Sequence, residues 1–291
     1  MVPNTARSFH DKWQRNTDCA FSETLREDSD IFNWIMTRNG WVDQHGLSAF
    51  LKTKKRILDA GCGNGRVTAL LRKYSDPAMA EIIGVDLVSA EIARSNLADS
   101  LNLSVLTKDI LADLSDIGSF DFIYCQEVLH HTSDPRQAFL NLCARLSPGG
   151  EIAIYLYRKK APVREFVDDY IRDKISGLEY EEAMELCREV TELGKALTEL
   201  KAIVKVPEVR LLSIAAGEYD VQRLLYHFFC KCFWNPDMDF EANAVINYDW
   251  YHPSLCAKYD LDDVLPWFEE AGLEVVHRHI DHYGLTIRGR N

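Results

Sequence analysis

The stretch from Arg56 to Leu71, RILDAGCGNGRVTALL, constrains the fold of this chain more than any other. It reads as a strand with an acidic residue near its end, then a glycine turn, then a helix. Ile57 and Leu58 are apolar and stand just before the turn, as the end of a strand covered on both faces should be. Gly61, Gly63 and Gly65 remove side chains where the backbone must turn sharply and leave the main chain open to a ligand. Val67, Leu70 and Leu71 then recur at helical spacing, so the turn delivers a helix N-terminus to a crevice at the strand's carboxyl end.

Spacing narrows the ligand. Dinucleotide-binding folds place G-x-G-x-x-G at such a turn. Here the third glycine comes one position early, at Gly65, and Arg66 stands where that fingerprint would have it. Asp59 precedes the first glycine by two residues, where a carboxylate meets a cationic or amino-bearing ligand rather than a pyrophosphate. An acidic residue followed by x-G-x-G-x-G, here DAGCGNG from Asp59 to Gly65, resembles the first motif of the class I S-adenosylmethionine-dependent methyltransferases.

The segments that follow fall in that family's order. Glu81 to Val85 makes a second strand ending at Asp86, whose carboxylate either accepts hydrogen bonds from a ribose diol or caps the strand end. Ser104 to Lys108 is a third strand, followed by Asp109 and Ile110, where the family pairs an acidic side chain with the adenine amino group and an apolar one with its face. A solvated loop residue is the plainer reading of Asp109. Phe120 to Cys125 is the fourth strand and leads into Gln126, Glu127, Val128, Leu129, His130 and His131; a Pro148-Gly149-Gly150 turn opens the fifth, Glu151 to Tyr157. The resemblance implies S-adenosyl-L-methionine as cofactor, held by Asp59, Gly61, Cys62, Gly63, Asp86, Leu87, Asp109, Ile110 and Gln126, with no metal. It implies an α/β fold: a Rossmann-like doubly wound sheet, mostly parallel with an antiparallel terminal strand, plus N-terminal helices and a helical insertion.

Composition excludes other classes. Acidic residues outnumber basic ones by 45 − 33 = 12, which disfavours a nucleic-acid partner, since binding phosphates needs a basic surface. No apolar run is long enough to span a bilayer, and the first residues, MVPNTARSFHDKW, lack the apolar centre of a signal peptide, so a cytoplasmic protein is expected. Eight cysteines, one inside the glycine turn, fit reduced thiols. Cys230, Cys232, His227, His252 and Cys256 raise a zinc site as a rival to buried thiols, although their spacings repeat no paired-ligand pattern. Nothing in the pattern sets an oligomeric state.

The chain divides into an N-terminal helical cap over 1–55, a cofactor-binding core over 56–157, a helical substrate-cap insertion over 158–259 and a C-terminal part of the core over 260–291. Aromatic residues from Phe9 to Phe50 mark two or three amphipathic helices in the cap. The insertion is too long for a loop. Helices are expected after Pro162, over Tyr180 to Val204 and over Tyr219 to Phe229, followed by an aromatic loop, FWNPDMDFEANAVINYDWYHP, suited either to recognising a polar small molecule or to packing as a lid. A helix from Asp260 to Ala271 and strands over Leu273 to His279 and Tyr283 to Arg288 close the chain.

Methyl transfer needs alignment and exclusion of water, and an acceptor that must lose a proton needs a base as well. His130 and His131 lie just past the crevice and are the first candidates, with one of them bracing the loop as the alternative; Tyr157, at the end of the fifth strand, is placed to orient the acceptor. Arg158, Arg164, Trp250 and Tyr251 are candidate substrate-binding residues, the arginines as clamps on a carboxylate or phosphate of an acidic or zwitterionic small molecule. For Arg164 the competing reading is an intrahelical pair with Asp168 at i,i+4 spacing. Two wider alternatives stay open: a modified adenosyl donor or sulfonium chemistry without methyl transfer, and a cofactor-binding scaffold without turnover.

Overall fold

In the computed structural model, which describes residues 4–291, Arg56 to Leu71 is the strand, turn and helix that its pattern dictates. Residues 1–3 of the expected N-terminal segment lie outside the described residues. The chain opens with α1 (Asn4–Arg15), α2 (Phe21–Leu25), α3 (Asp30–Asn39) and α4 (Gln44–Leu51). It then alternates: β1 (Arg56–Ala60), α5 (Arg66–Tyr74), β2 (Glu81–Asp86), α6 (Ala90–Asn96), β3 (Leu103–Thr107), β4 (Phe120–Gln126), α7 (Pro135–Cys143) and β5 (Leu146–Tyr157). After these come α8 (Pro162–Ile175), α9 (Tyr180–Glu199), β6 (Ile203–Val206), β7 (Gly217–Asp220), α10 (Val221–Phe228) and α11 (Phe240–Tyr251). The chain ends with α12 (Leu261–Glu270), β8 (Glu274–Ile280) and β9 (Gly284–Arg290).

These elements form two compact units. The sheet unit comprises Trp13–Arg158 and Leu255–Asn291; the helical unit comprises Lys159–Ser254 with the chain as far as Lys12. Among the described residues no helix is long and apolar enough to cross a membrane.

The sheet unit holds a seven-stranded sheet in the order β3-β2-β1-β4-β5-β9-β8. β1 to β5 pair in parallel, whereas β9 runs antiparallel to both β5 and β8. Both faces are covered, because successive strand residues point to opposite sides. Leu58, Ile123, Ile152 and Ile154 meet Phe139 of α7 and Val264, Trp267 and Phe268 of α12 on one side. Ile57, Phe122, Tyr124 and Ala153 meet Ile35 and Met36 of α3, Leu47 of α4 and Leu70 of α5 on the other. Capping fixes where the helices begin: Ser29 Oγ accepts from Phe32 N at 3.0 Å, and Asp43 Oδ1 accepts from His45 N and Gly46 N at 2.9 Å. β1 to β5 share a direction, so their carboxyl ends share one edge, the edge where open α/β sheets bind ligands.

The helical unit departs from expectation in three places. The helix expected to run to Val204 stops at Glu199, because Lys201 takes a left-handed φ of 49° and Ile203, Val204 and Val206 prefer the strand that pairs with β7. The helix expected from Tyr219 starts at Val221, where Asp220 accepts from Arg223 N at 3.1 Å as its N-cap. Most of the expected aromatic loop is α11, capped by Asp239, whose Oδ1 accepts from Ala242 N at 2.7 Å. Its polar residues are not loop signals. Asn247 brackets Phe233 through N–H and C=O at 3.0 and 3.1 Å, and Asn243 donates to the carbonyl of Asn235 at 3.0 Å, so the helix ties down the turn that precedes it.

Candidate functional site

The glycine turn hangs from β2: Gly61 N and Cys62 N both donate to Val85 O, at 2.8 and 3.0 Å. Gly61 and Gly63 have φ of 81° and 57°, and neither has room for a side chain. A Cβ would lie 2.3 Å from Val128 at Gly61 and 2.9 Å from the Trp13 ring at Gly63. Asn64 Nδ2 fastens the turn to the segment after α1, donating to Thr17 O at 3.2 Å and Cys19 O at 3.1 Å.

Two carboxyl groups flank this turn. Asp86, at the end of β2, accepts from Gly63 N at 3.0 Å with one oxygen and from Val88 N and Ser89 N at 2.9 Å with the other. Asp59 is buried beneath the turn and accepts from Thr68 Oγ1 at 2.6 Å. Burial, reinforced by the charge of Asp86 and opposed by the Thr68 hydrogen bond and the charge of Arg66, pushes its pKa up to about 7. Cys62 is buried as well, and burial with two neighbouring carboxyls holds its thiol well above the usual range. Leu87 is exposed directly past Asp86. After β3, Asp109 Oδ1 accepts from Leu111 N at 2.8 Å and Ile110 enters the core. Gln126, the last residue of β4, accepts from the Tyr124 hydroxyl, which in turn accepts from Asn39 Nδ2 at 3.2 Å.

Past β4 and β5 the candidate bases come together. The His130 ring stacks on Tyr157 with centroids 3.8 Å apart, and His131 stands 4.3 Å from His130. The segment that returns to the sheet unit is fastened along them: Ala257 N donates to His130 O and Tyr259 N to Tyr157 O, both at 2.9 Å. His131 Nδ1 lies 2.7 Å from Leu255 O. A carbonyl only accepts, so this contact places a proton on Nδ1. Between the strand and these histidines, Glu127 has a φ of 60°, a conformation that costs a side-chain-bearing residue about 1–2 kcal/mol. Its carboxylate faces Arg66 Nη2 at 3.6 Å.

One group here escaped the sequence reading. Arg38 of α3 is 7% exposed, with Nε donating to Asp281 Oδ2 at 3.2 Å and its guanidinium over Tyr155, Trp34 and Tyr283 at 4.7, 5.5 and 5.9 Å. Burial works against this charge, but Tyr155, Asp281 and Glu127 more than offset it and raise its pKa. Asp281, in the turn between β8 and β9, is held below the usual carboxylate range: burial opposes its charge and is outweighed by Arg38 and the N–H groups of Gly284 and Tyr283. Arg158 Nη1 donates to the Asp281 carbonyl at 3.3 Å. In sequence Arg38 is one polar residue on an amphipathic helix; only the docking of α3 on β8 and β9 gives it this setting.

The other expected substrate-binding residues belong to the helical unit, where each has polar partners within that unit. Trp250 and Tyr251 are on α11, not in a loop, and both are buried. Their polar atoms donate to Asp168, at 2.9 Å from Trp250 Nε1 and 3.2 Å from the Tyr251 hydroxyl. Arg164, 2% exposed, makes the intrahelical pair, with Nε 2.8 and 2.9 Å from the two oxygens of Asp168, and also donates to Tyr226 O. Of the residues weighed for zinc, Cys230 lies against the Tyr251 hydroxyl at 3.7 Å, and His252 places its ring nitrogens 2.8 Å from Ser8 Oγ and 3.1 Å from Leu178 O.

Comparison with known proteins bears on the sheet unit. Residues 58–154 match the family described as a methyltransferase domain. An uncharacterised protein of Synechococcus is 36% identical over 121 residues, 38% of this chain and 28% of that protein. The ubiquinone biosynthesis O-methyltransferase of Coxiella burnetii is 33% identical over 101 residues, 34% of this chain and 42% of that enzyme. The chain therefore spans less than half the length of either relative. Among solved structures, PKMT2 from Rickettsia typhi in complex with AdoHcy is similar with a TM-score of 0.53 at 14% identity, over 84% of this chain and 51% of that one. That likeness is one of fold.

Proposed function

From the premise that residues 58–154 are a class I S-adenosylmethionine-dependent methyltransferase domain, we propose that this protein methylates a small molecule bearing an acidic group. The observation that carries the reading is the glycine turn set between Asp59 and Asp86 at the carboxyl edge of the sheet. These residues suit S-adenosylmethionine. A carboxyl poised at about 7 by burial is returned to its ionised form by an ammonium group nearby, which is the chemistry an amino-acid ligand offers. Asp86 is already fixed by three backbone N–H groups and keeps a lone pair, on the oxygen that faces Gly63, for a hydroxyl donor. Asp109, Ile110, Leu87, Cys62 and Gln126 complete the set assigned to the cofactor, which when bound supplies an electrophilic methyl group.

What remains for the protein is to align the acceptor, exclude water and take a proton. His131 is the base in this reading. With Nδ1–H directed at Leu255 O, Nε2 is the nitrogen that takes the proton when the ring is neutral. His130 and Tyr157 stack beside it and fix the wall of the site, and the returning segment Leu255–Tyr259 locks that wall in place. A carboxylated adenosyl donor is the second reading, favoured by the Arg158 guanidinium just past β5.

Titration calorimetry with S-adenosylhomocysteine tests the assignment. The wild-type protein should bind it, and Asp86→Ala should weaken binding by about 1–3 kcal/mol, the cost of leaving polar partners unmatched. A wild-type protein that binds neither S-adenosylmethionine nor its demethylated product would end this reading. Consumption of S-adenosylmethionine in a metabolite extract separates an enzyme from a scaffold, and mass spectrometry of ligand released from the purified protein separates the two donors.

A further inference from the structure

We propose that Arg38 and Arg158 form an oxyanion-binding corner at the β8–β9 turn, which holds the carboxylate or phosphate group of the acceptor. This rests on the methyl-transfer reading and names the residues that select the substrate.

The argument begins with donors left over. A guanidinium has five N–H groups, and those not spent on the protein are left for solvent or a ligand. Arg38 spends one, from Nε to Asp281; among the described residues neither terminal nitrogen has an acceptor. Its aromatic neighbours do not substitute for one, since stacking uses the faces of the guanidinium and leaves its edge of N–H groups for a planar anion. Asp281 acts as the positioning residue. Tyr283 N and Gly284 N hold one of its oxygens at 2.7 and 2.8 Å, while the other takes Arg38 side-on and leaves the terminal fork unspent.

Arg158 supplies the second arm. Its only side-chain acceptor among the described residues is the Asp281 carbonyl, so two guanidinium groups converge on one residue. At the β8–β9 turn itself, two guanidinium groups, Arg38 and Arg158, meet one carboxylate-bearing residue, Asp281, an excess of 2 − 1 = 1 positive charge there. His279, with Nε2 3.7 Å from Asp281 Oδ2, adds to that excess when protonated. Trp34, 47% exposed and 6.3 Å from Tyr283 between ring centroids, makes the aromatic wall reachable from solvent. An anion carried on a flat or aromatic molecule fits such a corner.

The test uses the full chain at low ionic strength, titrated calorimetrically with sodium phosphate and with sodium benzoate, both with and without saturating S-adenosylhomocysteine. The wild-type protein should show one saturable anion site; Arg38→Gln should lose about tenfold or more in affinity, the scale of a lost charge-assisted pair of hydrogen bonds. Arg38→Lys, which keeps the charge but not the fork, should fall between them, and Arg158→Gln should weaken binding by less than Arg38→Gln. Tighter phosphate binding assigns a phosphorylated acceptor, and tighter benzoate binding a carboxylated one. Equal anion affinity in the wild type and Arg38→Gln, or a response in the wild type that never saturates, would overturn the proposal. So would competition between either anion and S-adenosylhomocysteine, which would put the anion in the donor's place. If Arg38→Gln does not fold, Arg158→Gln decides, and unchanged affinity there overturns the corner. Failure of the wild type to bind S-adenosylhomocysteine while it still binds the anions defeats methyl transfer and leaves the corner standing.

Discussion

Arg38 and Arg164 are both buried, both stacked on aromatic rings and both paired with an aspartate, yet they are built for different ends. In the helical unit, Arg164 lays Nε across both oxygens of Asp168, sends Nη1 to Tyr226 O, and shares that carboxylate with Trp250 and Tyr251. In the sheet unit, Arg38 touches its aspartate once, and among the described residues its terminal nitrogens have no acceptor. The lesson is that burial of a charge does not identify a site. What its donors are spent on does. A charge whose partners are all protein is architecture; a charge held in place with donors to spare is a receptor.

The sharpest way to break this contrast is to remove the two aspartates separately. Asp168→Ala leaves Arg164 buried without its counter-charge, which should cost about 3–5 kcal/mol of stability in urea denaturation. Asp281→Ala should cost far less, since its Arg38 is already only partly engaged, and should appear mainly as weaker binding of phosphate or benzoate. Equal losses of stability would mean that both arginines are structural and the distinction is false.

The same two units differ in how much could be read before the fold was known. Arg56 to Leu71 was legible because strand, turn and helix are each dictated by neighbours in the chain: apolar residues, then glycines, then a helical period. The end of α9 was not, because Ile203 to Val206 becomes a strand only by pairing with Gly217 to Asp220. Asn243 and Asn247 argued for a loop by composition, and their reason for being in a helix is a turn bonded to them in space. Arg38 was the least legible of all. Its partner Asp281 lies 243 residues away, and no local pattern marks an arginine whose terminal donors are unspent.

A second prediction sets the units against each other by pH. Burial pushes the Asp59 carboxyl up to about 7 in the folded chain, against an ordinary aspartate value of about 4. Between those limits the folded state holds a proton that the unfolded chain has lost. Its contribution to stability is thus complete below the lower value and is lost as pH rises through the upper one, a loss of up to about 4 kcal/mol. His252 in the helical unit has the opposite sign. Burial, against its hydrogen bond to Leu178 O, lowers its pKa, so its contribution is present above the ordinary histidine value and falls as pH falls. Hydrogen exchange across pH 5 to about 8 should therefore show protection around β1 falling with rising pH, and protection around the end of α11 rising. Asp59→Asn should remove the first slope without touching the second. If both regions follow one pH profile, burial of these two groups does not govern local stability.

The smallest effect is expected at Glu127, and it tests whether the sheet edge stores strain for function as Arg38 stores donors. Its φ of 60° suits glycine, so Glu127→Gly removes a steric penalty of about 1–2 kcal/mol and adds back roughly 0.5–1 kcal/mol of backbone entropy. The half-exposed pair with Arg66 is worth little at 3.6 Å in partial solvent. The variant should melt at or slightly above the wild-type temperature. Turnover, measured as S-adenosylhomocysteine produced from S-adenosylmethionine and a metabolite extract, should nonetheless fall, because a non-glycine residue held in this conformation at a sheet's carboxyl edge is retained for its side chain. Glu127→Gln, which keeps the shape and drops the charge, then separates the two contributions: activity lost in both variants assigns the role to the carboxylate. Activity kept in Glu127→Gly would show that the backbone bend alone matters there, and that Arg66, still donating to Thr24 Oγ1, needs no carboxylate at the mouth of α5.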